Sequence, residues 1–66
     1  MTNYERKQKC FELQDRLQGI AKDLMFSYAL INSEFPELKS EVHELIDCEN
    51  SVLSVVGVLD TMANEV

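Results

Sequence analysis

Breaks are scarce in this chain: one proline and two glycines serve 66 residues. Only Asn32-Ser33-Glu34-Phe35-Pro36 reads as a convincing interruption, because Pro36 disfavours helix at Phe35 and suits the first turn of a new helix. Cysteine is equally sparse, with Cys10 and Cys48 alone. The first nine residues are polar and charged, unlike a secretory leader, which points to a reducing, cytoplasmic setting where structural disulfides are rare. Cations are few, with 6 Lys and Arg against 12 Asp and Glu for a net charge of -6. So acidic a chain makes a poor general nucleic-acid binder, since phosphate repels it. No apolar run approaches the ~20 residues that a membrane span needs.

Catalytic and metal motifs are missing too. The sequence has no HExxH, CxxC or calcium loop. A di-iron bundle needs Glu-x-x-His, and the residue three before the lone histidine, His43, is Ser40. Ser40, His43 and Asp47 share one helix face. From a single helix they build neither an oxyanion hole nor a cleft, so an enzyme is not expected. Glu41, His43, Glu44 and Asp47 form the one cluster of ligand-type side chains, and no metal or cofactor is expected of it.

Apolar residues, by contrast, are abundant at 45%. The runs Leu24–Ile31 and Val52–Leu59 are apolar almost all round a helix, and such helices must be surrounded. A domain this small buries only about 60% of the surface its unfolded chain exposes. Small folds therefore rely on disulfides, a metal or oligomerisation, and oligomerisation is the device left.

The spacing predicts two helices, about residues 3–32 and 36–64, joined by a turn at 33–35 in one domain spanning residues 1–66. Cys10, Leu13, Leu17, Ile20, Leu24 and Ile31 follow three- and four-residue steps, and Leu38, Val42, Leu45, Val52, Val56, Leu59, Ala63 and Val66 do the same. A strand at the valine-rich run 52–59 is the rival, but that run does not alternate polar and apolar. Two such seams make an all-α antiparallel hairpin. Folding at the turn pairs Ile31 with Leu38, Leu24 with Leu45, Leu17 with Val52 and Cys10 with Leu59. Cys48 then lies roughly 16 Å along the helix from Cys10, too far for a disulfide, and both thiols read as small buried hydrophobes. Glu49 falls in the seam opposite Ile20 and must snorkel or find a partner such as Lys22 or Arg16. Asn32 or Ser33 reads as the end of the first helix and Ser33 also as a cap for the second, while Gly57 either permits close backbone approach or is simply tolerated.

Met25, Phe26, Ala29, Leu30, Phe35, Leu53, Val55, Val58 and Met62 stay outside this seam. Left in water they exceed the apolar patch of an ordinary monomer. Two hairpins packed into a dimeric four-helix bundle cover most of it. Val55, Val58 and Met62 are the expected self-association residues.

Charge is divided unevenly. Residues 1–33 hold five cations against four acids, and residues 34–66 hold Lys39 against eight acids. The acidic half suits a protein partner with a basic or mixed apolar surface. Met25, Phe26, Leu30 and Phe35 are the expected anchors there, with Glu34, Glu37 and Glu41 as a charged rim. The expected function is a small regulator or inhibitor that occupies a partner surface, of the kind a phage or mobile element encodes against a host factor. The alternative is an oligomer that holds a nucleotide or RNA phosphate through Tyr4, Arg6, Lys7, Lys9 and Arg16 at the start of the first helix.

Overall fold

A computed structural model describes residues 2–65. They form an all-α hairpin made of helix α1 (Asn3–Glu34), one 3₁₀ turn (Pro36–Leu38) and helix α2 (Lys39–Asn64). There is no strand among the described residues, and the valine-rich run 52–59 lies inside α2. The hairpin is a slender rod, with extents of 50 × 14 × 14 Å.

Capping explains where the helices begin and end. The Thr2 hydroxyl accepts the Glu5 N–H at 3.1 Å, satisfying one of the free donors of the first turn. At the other end α1 outruns the expected boundary. Asn32 and Ser33 are both helical, so neither stops α1 and Ser33 does not cap α2. Phe35 ends the helix instead. Pro36 forces it out of the helical region, to φ -131° and ψ 68°, while its N–H still donates to the Ile31 carbonyl at 2.6 Å. The Leu38 N–H then bonds the Phe35 carbonyl at 2.9 Å, closing the 3₁₀ turn.

The seam on α1 differs in phase from the expected one. Its buried and half-buried residues are Lys7, Cys10, Gln14, Leu17, Ala21, Leu24, Tyr28 and Ile31. These alternate in steps of three and four without a break, as a packed helix pair requires. Cys10, Leu17, Leu24 and Ile31 stand where expected. Leu13 and Ile20 do not: both are exposed, and Gln14, Ala21 and Tyr28 take the inner column. On α2 the seam runs through Leu38, Val42, Leu45, Glu49, Val52, Val56, Leu59 and Ala63, with Ile46 and Met62 half-buried beside it. The expected seam residue Val66 lies outside the described residues.

What the hairpin buries is small. Among the described residues the fully buried set is Cys10, Ala21, Val42, Val56 and Ala63, none larger than valine. The bulky seam residues are covered only in part. The chain exposes 4975 Å², where a compact monomer of its mass exposes about 4,300 Å². Two helices alone leave this sequence under-covered.

One smaller expectation changes and another is narrowed. Both thiols are free, but only Cys10 is buried; Cys48 is exposed. Gly57 makes no close approach within the hairpin: a methyl group there meets nothing within 4 Å, and Gly19 is equally open. Among the described residues no helix is long and apolar enough to cross a membrane.

Candidate interaction surfaces

Among the described residues, two polar side chains of α1 link across the seam. The Tyr28 hydroxyl donates to Glu49 Oε1 at 3.1 Å. Burial, the Glu49 hydrogen bond and the Glu49 charge all hold the Tyr28 phenol in its neutral form and raise its pKa. Glu49 is thus held from the opposite helix by a phenol, not by Lys22 or Arg16. Tyr28 lies about two turns nearer the closed end than Ile20, the residue expected opposite Glu49. The second link is Gln14, whose amide donates to the Val56 carbonyl at 3.3 Å and to Asp60 Oδ1 at 3.4 Å. Sequence reasoning missed Gln14 and Tyr28. Their signal was the column Lys7, Gln14, Ala21, Tyr28, spaced by sevens.

Helical geometry divides the remaining surface into two broad faces. In an antiparallel pair, residues that follow a shared seam column on either helix lie to one side, and residues that precede the other column lie to the opposite side. The first face carries a shallow groove of about 410 Å³ at the closed end. It is lined by Tyr28, Ala29, Asn32, Lys39, Val42, His43 and Ile46, drawn from both helices. Met25, Phe11 and Leu53 fall on this side and are exposed. The second face carries Leu13 and Ile20 from α1 with Cys48, Val55 and Met62 from α2. Its outer border holds Leu30, 59% exposed, and Val58, 57% exposed.

The expected partner residues are brought together only in part. Phe26, Leu30 and Glu34 follow one another at four-residue steps and form one exposed stripe. Phe26 is 60% exposed at one end of it. Phe35 and Glu37 stand beside it in and next to the turn, both exposed. Glu41 is exposed at the start of α2. Met25 departs from the group: at 3.6 residues per turn it lies about 140° around α1 from Leu30, on the groove side.

Of the expected self-association residues, Val55 and Val58 are exposed, and Met62 is half-buried. The basic residues scatter. Lys9 and Arg16 flank a dip of about 230 Å³ on α1, with Glu12 and Leu13 between them. Arg6 is exposed nearby. Lys7 is half-buried in the seam, and Tyr4 sits about 120° or more around the helix from Lys9 and Arg16.

Ser40, His43 and Asp47 are all exposed, and His43 alone of the three lines the groove. Among the described residues no three His, Cys, Asp or Glu side chains converge as metal ligands would. Comparison with protein families, curated proteins and solved structures returns no match.

Proposed function

We propose that this protein is a binding module: a small acidic hairpin that self-associates into a four-helix bundle and acts by occupying the surface of a protein partner. The observation that carries this reading is the closed end. Phe26, Leu30 and Phe35 are large, apolar and wet there, and Glu34, Glu37 and Glu41 rim them. Aromatic anchors ringed by charge are the composition of an interface centre, and acids select a basic or mixed apolar target. Val55, Val58 and Met62 support the self-association half of the reading.

The test compares capture of partner proteins by the natural chain, by Phe26→Asp and by Ser54→Asp. The last changes an exposed residue of α2. Binding is expected to vanish with Phe26→Asp at unchanged helicity and to persist with Ser54→Asp. Equal capture by all three removes the closed end from the function.

The dip between Lys9 and Arg16 favours a second reading, in which α1 holds a phosphate-bearing ligand. Glu12 opposes it from within the dip. An RNA oligonucleotide whose affinity falls steeply with salt, and is lost in Arg16→Glu, supports this alternative; no binding at low salt ends it.

A further inference from the structure

We infer that the face formed by Leu13, Ile20, Val55 and Val58 docks a second copy of this chain, with the two hairpins antiparallel and their closed ends apart. This deepens the self-association in the reading above and rests on it. The area is adequate. A face 50 Å long and 14 Å wide is roughly 700 Å² per copy, or about 1,400 Å² across a dimer, within the range of specific interfaces.

Charge then selects the direction. On α1 this face is a column spaced by sevens: Arg6, Leu13, Ile20, Ser27, Glu34. Ile20 is its midpoint. Around a twofold axis at Ile20, antiparallel copies set each Arg6 against the other copy's Glu34. On the neighbouring column, Arg16 of each copy meets Asp23 of the other. Leu13 packs beside Ser27, and Ile20 on Ile20. Arg6, Arg16, Asp23 and Glu34 are all exposed in the hairpin and available for this.

The parallel arrangement fails on the same residues. It brings both closed ends together, so Glu34 and Glu41 of two copies crowd one end of the interface with only Lys39 near them. Like charges placed side by side disfavour that docking, and charge pairs at the edge of a helical interface set orientation more than affinity. Antiparallel docking has a further consequence. It sends the two basic starts of α1 to opposite ends of the bundle, so they cannot join into one phosphate site. Phe26, Phe35 and Glu37 are left on the outer surface for a target, while Leu30 and Glu34 pass to the edge of the docked face.

The experiment places a spin label at Ser33→Cys in a Cys48→Ser chain, where Cys10 is buried, and reads the distance between labels beside the solution mass. Position 33 is exposed. Thirteen residues from the axis at 1.5 Å each, counted on both sides, give about 40 Å. A dimer mass with that distance supports the inference. A dimer mass with labels within about 20 Å overturns the antiparallel docking while leaving self-association standing. A single-chain mass at every concentration overturns both. The ion pairs have their own control. Arg6→Glu is expected to weaken the dimer about tenfold, since two exposed pairs are lost, and adding Glu34→Arg is expected to restore it. No rescue by the second change contradicts the proposed register.

Discussion

Tyr28 and Glu49 face each other across the seam of this hairpin, joined at 3.1 Å by a phenol that donates to a carboxylate. The bond answers how a charge is held between two apolar columns. Both residues are half-buried, and each keeps access to water while pairing with the other helix. A polar pair at one level of a seam favours one register over its neighbours, because any slip leaves the carboxylate without its donor.

The pair makes stability depend on alkaline pH. Tyr28 has a pKa raised above its ordinary 10.0. The folded chain therefore holds this proton more tightly than the unfolded chain does. Its contribution is complete below pH 10 and is lost as the pH rises through the folded-state value. Urea midpoints measured from about pH 9 upward are expected to fall in the natural chain and to fall less in Tyr28→Phe. Equal slopes for the two proteins contradict this role.

Gly57 offers a gain in stability. It is exposed inside α2, has no positive φ and has open space where a methyl would go. Gly57→Ala is expected to stabilise the fold by about 1 kcal/mol in urea melts, through helix propensity and a less flexible unfolded chain. A loss instead would show that something packs on this glycine in the assembly.

The two thiols are expected to react at different rates. Cys10 is buried and Cys48 exposed, so a thiol reagent modifies Cys48 in the native protein and Cys10 only on unfolding. Cys48 also lies on the face assigned to the second copy. Its rate is expected to drop as protein concentration rises, and a rate independent of concentration argues against burial of that face.

Val55→Asp tests the same face by disruption. Val55 is 50% exposed in the hairpin, so a charge there costs the single chain little. In a docked pair it is desolvated without a partner. Dissociation at unchanged helicity is the expected result, checked by sedimentation and circular dichroism.

Much of this fold was legible in the sequence. Three- and four-residue steps announce both helices, and Pro36 marks the break because it constrains Phe35. The phase of α1 was not legible. Cys10, Leu17, Leu24 and Ile31 belong to the seam under either phase. Their companions are Leu13 and Ile20 in one phase, or Gln14, Ala21 and Tyr28 in the other. Apolar content alone favours the first. The structure adopts the second, because Gln14 finds the Val56 carbonyl and Asp60, and Tyr28 finds Glu49, all on α2. Those gains exist only once the two helices meet, so neither helix shows them by itself. The displaced Leu13 and Ile20 are then left outside, which creates the apolar face that a sequence reading placed in the core. The closed-end stripe was clearer, since Phe26, Leu30 and Glu34 keep a simple four-residue step. Met25 misled by proximity in sequence, and a helix turns it away from Leu30.

Sedimentation equilibrium across a dilution series tests most directly whether this hairpin needs cover. Twice the chain mass at high concentration, falling toward one chain on dilution, is the predicted result. A folded chain that stays at single mass into the millimolar range, with nothing bound, contradicts it.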